Sequence, residues 1–201
     1  PTPTATQTPE PTEFPDIGDS GLLDLESGVE VYGDDYAAPS WRRVGDLVVL
    51  SGLMRTTSTW STEQVVATLP TQLCPDAQHL FSSTTSQAVA RVDIKNDCTI
   101  TRTTGPTDRD WLSLDGIAFA AAGASITPLD LGPSFEVYGF GFAEPYMIQS
   151  GGVVVYGGVA NLKAGTWSDD LVVGFVPEAQ CPEGRRVFDV MHQNNTGCVD
   201  I

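Results

Sequence analysis

Two histidines, His79 and His192, are the only imidazoles in the chain, and they stand at non-equivalent positions of its two halves. A Ser-His-Asp triad or a zinc centre needs several such groups converging on one point, so neither chemistry is expected. Both histidines read as lone surface side chains. The acidic doublets and near-doublets, Asp34-Asp35, Asp108-Arg109-Asp110 and Asp169-Asp170, lack the alternating spacing of a calcium loop and read as solvated turns. No carboxylate pair stands out for glycoside hydrolysis. Gly139-Phe140-Gly141 is a turn rather than a nucleotide loop, because no helix follows it. The expectation is a protein that is not an enzyme, with no cofactor and no metal site. Trp41, Trp60, Trp111 and Trp167 could stack saccharides, but Trp60 and Trp167 are equivalent positions and fit a repeated core role. Trp111 falls in a segment expected to be buried.

The remaining chemistry is covalent. Cys74 and Cys98 lie in the first half, Cys181 and Cys198 in the second, without metal-type C-x-x-C spacing. One disulfide per half is the expectation, which implies an oxidising compartment. Each would close a loop of about two dozen residues or fewer, stabilising the fold by about 3 kcal/mol. Asn194-Asn195-Thr196 is a formal N-glycosylation sequon on Asn194. Pro1–Pro15 alternates Pro with Thr2, Thr4, Thr6, Thr8 and Thr12, the composition of an extended O-glycosylated stalk or of a bare linker.

These groups sit in a chain built for strands. Apolar residues make up 41% and charged residues 18%, with 20 Gly and 14 Pro, a mixture suited to many turns. Short Val-rich runs bounded by Gly and Pro outnumber any helical periodicity. The net charge of −16 repels phosphate backbones, so nucleic-acid binding is not expected. No run of 18 apolar residues suggests a membrane span. The sequence carries no leader at its start and reads as a mature or partial secreted, extracellular chain.

An internal repeat organises the elements. Glu30-Val31-Tyr32-Gly33 recurs as Glu136-Val137-Tyr138-Gly139, followed by Pro39/Pro145, Gly45/Gly151, Val48-Val49/Val154-Val155 and Gly52/Gly158. After a one-residue insertion come Trp60/Trp167, Pro70/Pro177, Cys74-Pro75/Cys181-Pro182, Phe81/Phe188 and Val92-Asp93-Ile94/Val199-Asp200-Ile201. The reading is all-β: two tandem antiparallel β-sandwich modules. Their expected limits are 1–28 for stalk and candidate donor strand, 29–122 for the first module, 123–134 for a linker and 135–201 for the second. Strands are expected over 46–54, 64–69, 88–94, 98–102 and 111–119, with a hairpin turn at Lys95-Asn96-Asp97.

Tyr36 and Pro39, the strand 45–52, Leu69-Pro70 with Pro75, Arg91-Val92-Asp93-Ile94 and Trp111-Leu112-Ser113-Leu114-Asp115-Gly116-Ile117 resemble the C-terminal receptor-binding heads of bacteriophage tail fibres. That resemblance covers about residues 29–120. It implies a β-sandwich, often trimeric, that binds cell-surface saccharides.

The second copy ends at Ile201, the equivalent of Ile94, and so has no counterpart of residues 95–119 within this sequence. An open edge of this kind invites strand addition. Residues 14–28 carry Phe14, Ile17, Leu22, Leu23 and Leu25 in a polar setting, and the alternation Leu23-Asp24-Leu25-Glu26 suits an added strand. The leading expectation is a structural subunit that donates this segment to the next copy, giving a head-to-tail filament with covalent glycans. Two alternatives stand beside it. The segment can pack on its own first module, as the similar Leu129-Asp130-Leu131 before the second module suggests, and the protein can be a glycan-binding adhesin.

Overall fold

A computed structural model describes residues 19–86, 88–108, 111–165, 167, 171–183, 186–192 and 195–200. Phe14, Ile17, the stalk threonines Thr2, Thr4, Thr6, Thr8 and Thr12, and Asn194 lie outside the described residues, as do the side chains of His192 and Cys198. The chain is all-β, built from antiparallel strands as the sequence reading expects. The first module contains β1 (Ser20–Leu22), β2 (Asp24–Leu25), β3 (Val29–Val31), β4 (Ser40–Val44), β5 (Leu47–Ser51) and β6 (Leu53–Thr56). It continues with β7 (Gln64–Thr68), β8 (His79–Thr84), β9 (Val89–Ile94), β10 (Thr99–Thr104), β11 (Trp111–Ser113) and β12 (Ala118–Ala120). The second contains β13 (Thr127–Pro128), β14 (Asp130–Leu131), β15 (Phe135–Val137), β16 (Tyr146–Ser150), β17 (Val153–Gly157), β18 (Ala160–Leu162), β19 (Gly174–Phe175), β20 (Val187–His192) and β21 (Asn195–Asp200).

The sequence repeat is a repeat of pairings. β1–β4, β2–β7, β3–β6, β4–β5 and β8–β9 of the first module return as β13–β16, β14–β19, β15–β18, β16–β17 and β20–β21. Three strands of the first module have no counterpart among the described residues. β10 fills the centre of the sheet β2-β7-β10-β9-β8, β11 flanks β6, and β12 flanks β5.

Gly52 and Gly158 explain one identity of the repeat. Their φ angles are +98° and +95°, and a Cβ there would come within 2.3 Å of the Ala38 carbonyl oxygen and 2.2 Å of the Glu144 carbonyl oxygen. Only glycine turns the chain so tightly between two strands. The expected strand over 46–54 is therefore split into β5 and β6, and that over 111–119 is split into β11 and β12.

The first module has a continuous core. Val48, Leu50, Met54, Val66, Ile94, Ile100, Leu112 and Phe119 are all fully buried, and Trp60 is buried with them. Burying a side chain of this size contributes about 1.5–3 kcal/mol. Cys74 and Cys98 form the expected bridge, with Cα atoms 4.8 Å apart. It ties the loop after β7 to the turn between β9 and β10, where Cys98 has a left-handed φ of +73°.

The described part of the expected donor segment, residues 19–28, pairs with its own module, which is the alternative the sequence offered: β1 and β2 are hydrogen-bonded into the first module, and Leu23 is buried in its core with Leu25 packed against it. Leu22 alone of the three leucines points outward. The physical reason is that β1 and β2 fill edges on β4 and β7 that would otherwise be open. The residues expected as a linker do the same for the second module, as β13 and β14. One expectation is corrected here: Cys181 is a free, exposed thiol rather than half of a second bridge. The turn that holds Cys98 has no counterpart among the described residues of the second module, and Cys198 lies within β21.

Among the described residues no helix is long and apolar enough to cross a membrane. The disulfide is compatible with an extracellular protein.

Candidate functional site

After β15 the chain turns sharply through Gly139, Phe140 and Gly141, all left-handed, with φ of +76°, +53° and +83°. The Phe142 amide donates to the Gly139 carbonyl at 3.0 Å and closes the turn. A bulky residue in this conformation costs about 1–2 kcal/mol. Its side chain gains nothing back by burial, because Phe140 is 89% exposed. Around it, the Tyr138 ring lies 5.4 Å from Phe140 and 5.3 Å from Phe142, centroid to centroid. The strain is thus spent on exposing an aromatic ring, which makes this turn the candidate site.

The turn is fastened to the first module. The Gln78 amide donates to the Gly141 carbonyl at 3.0 Å, and the Ala143 amide donates to the Gln78 carbonyl at 2.8 Å. The Gln78 side chain donates to Asp93 at 2.6 Å, and Arg91 donates to both oxygens of Asp93 at 2.7 Å each. The Arg91 guanidinium then sits 5.8 Å from the Phe142 ring centroid, in cation–π range. Asp93 is only 2% exposed, so this ion pair is held in place rather than fluctuating at the surface. Behind the turn, Tyr146 and Ile148 of β16 pack on Leu47 and Ala120. The Ala120 amide donates to the Tyr146 hydroxyl at 3.1 Å, and the Ser150 hydroxyl donates to the Val44 carbonyl at 2.7 Å.

His79 belongs to this seam and corrects the surface expectation. It is 4% exposed, among the rings of Phe81 (6.1 Å), Phe119 (5.7 Å) and Tyr146 (5.6 Å). Burial disfavours the imidazolium and lowers its pKa to about 4, while burial pushes the Tyr146 phenol up to about 12. The histidine is therefore neutral at physiological pH.

The sequence candidates are scattered by the fold. Trp60 is buried in the first core, whereas Trp167 is 49% exposed beside Phe135, so the expected shared core role holds for one copy only. Trp41 and Trp111 are half-buried on different sheets. The four tryptophans form no common platform. Asp34 and Asp35 are exposed at a turn, as expected. Among the described residues no group of three or more His, Cys, Asp or Glu side chains could hold a metal ion. Sequence reasoning missed Phe140. Its signal was the shared spacing of two aromatics, Tyr32 to Tyr36 and Tyr138 to Phe142, with a phenylalanine between two glycines at one tip.

No protein-family model matches this chain, and no curated protein does. Among solved structures, the receptor binding protein of Listeria phage PSA is similar, at 24% sequence identity and a TM-score of 0.44. The likeness covers 51% of this chain and 64% of that one, so this chain spans less than two thirds of its length.

Proposed function

We propose that this chain is a secreted, non-catalytic recognition module that binds surface saccharides through the turn Tyr138–Phe142. The observation that carries the reading is Phe140, 89% exposed on left-handed backbone between two further aromatic residues. Sugar rings present apolar C–H faces, and an aromatic ring fixed in advance stacks on them without a further ordering cost. The ion pair of Arg91 with Asp93 supplies polar groups nearby. The stalk threonines and Asn194 carry glycans in this reading. Binding of the chain to an array of neutral surface glycans tests it: Phe140→Ala abolishes the signal while leaving the thermal midpoint unchanged. Equal binding by the wild type and the Phe140→Ala protein refutes it.

A second reading keeps self-association into a head-to-tail filament. It is supported by the apolar residues that the second module leaves outside, Val153, Trp167, Val172, Phe175 and Val187. Sedimentation at rising concentration separates the two readings: a chain that stays monomeric rules out the filament, and the binding module needs no polymer.

A further inference from the structure

A groove of about 550 Å³ opens on the first module, across β1, β4 and β5. The strand registers put its lining on one face: Ser20 opposite Arg42, Leu22 opposite Ser40, Arg42 opposite Val49, and Ser40 opposite Ser51. Three hydroxyls, two aliphatic side chains and one guanidinium thus share a space of sugar size. The Ser40 and Ser51 hydroxyls are hydrogen-bonded at 3.0 Å. Leu22 is 71% exposed, an apolar surface at the rim with no protein cover. Beneath them the Trp41 indole lies across Gly21, where a Cβ would come within 2.9 Å of the ring. The glycine is what lets β1 seat against the indole.

Arg42 is exposed, and its side chain makes no hydrogen bond or ion pair with the described residues. Arg43, Arg55 and Arg91, by contrast, each hold a carboxylate. Acidic residues outnumber Lys and Arg by 26 to 10, so carboxylates are abundant in this chain, yet among the described residues none is placed against Arg42. The repeat sharpens the contrast. Arg42 and Ser40 correspond to Ile148 and Tyr146, which the second module buries in the seam. The same sheet face is apolar where it meets protein and carries hydroxyls and a cation where it lies open.

We propose that this groove is a second binding site and that its ligand is a carboxylate-bearing sugar, such as a uronic acid residue. The carboxylate pairs with the planar fork of Arg42, which suits it in two-point geometry. Ring hydroxyls meet Ser20, Ser40 and Ser51, and the apolar ring face lies on Leu22 and Val49. This site is separate from the Tyr138–Phe142 turn and does not depend on it.

The test titrates the full chain with a glucuronate-terminated trisaccharide and with its neutral glucose-terminated counterpart, read by tryptophan fluorescence and by backbone amide shifts. The acidic sugar binds about 10-fold or more tightly than the neutral one, shifts amides of β1, β4 and β5, and weakens as salt is added. Arg42→Gln removes that preference, and Phe140→Ala leaves it intact. Arg42 is exposed, so an unchanged thermal midpoint confirms that the Gln variant is folded. Equal affinity for the two sugars overturns the proposal. So does an unchanged preference in Arg42→Gln, a loss in Phe140→Ala, or a site that takes polyglutamate and ignores the uronate.

Discussion

Set side by side, the two modules share every strand pairing up to β9 and β21 but differ in what lies over those strands. In the first, Trp60 is buried and the Arg102 guanidinium stands 5.4 Å from its ring centroid, supplied by β10. Arg102 is itself buried, donating to the carbonyls of Ser61 and Pro106, and desolvation lowers its pKa. Among the described residues of the second module no strand takes the place of β10, and Trp167 is 49% exposed. One sequence motif thus has two energetic meanings, and the covering strands set which applies. A repeat transmits pairing geometry; it does not transmit a core.

The sharpest way to break this contrast is to delete the paired rings. Trp60→Ala is expected to cost about 3–5 kcal/mol in urea unfolding, and Trp167→Ala about 1 kcal/mol or less. Equal losses would mean that both modules are equally covered in solution. The cysteines come next. Replacing Cys74 and Cys98 by Ser is expected to lower stability by about 3 kcal/mol, because the bridge closes a loop of 24 residues. Cys181→Ser is expected to change almost nothing, and a thiol reagent should label Cys181 in the folded chain.

Acid probes the joint between the modules. The folded-state pKa of His79 is about 4 against 6.5 when unfolded, so between those values only the unfolded chain takes up the proton. Stability is whole above pH 6.5, falls as pH drops through this window, and is lower by about 3 kcal/mol below pH 4. His79→Phe should flatten that part of the stability profile while leaving the acid response of the carboxylates. Tyr146→Phe acts on the same joint with a smaller effect. It strands the buried Ala120 amide and should cost about 1–2 kcal/mol, mostly as earlier opening of the seam in hydrogen exchange.

Much of the fold was legible because it rests on local signals. The β9–β10 hairpin, the Gly52/Gly158 identity, the bridge between Cys74 and Cys98 and the order of the repeats all follow from spacing and turn chemistry. The roles of β1 and β2 were less so. Each is at most three residues long and pairs with a strand far along the chain, so the alternation Leu23-Asp24-Leu25-Glu26 fits its own module as well as a neighbour's. The binding surfaces were harder still. Phe140 looks like an ordinary turn residue until its exposure is known. His79 meets Tyr146 and Gln78 meets Gly141 across a module boundary that no spacing in the chain encodes. The groove around Arg42 depends on three strands lying in register, and on the arginine having no partner among the described residues.

The imidazole of His79, ringed by Phe81, Phe119 and Tyr146, also has a magnetic consequence. Circulating electrons in three surrounding rings shield or deshield its carbon-bound protons, so their resonances should fall well away from those of a histidine in water. Tyr146 comes from the second module and the other two rings from the first. A change in how the modules meet, on binding at either surface, would therefore move those lines without any label being added.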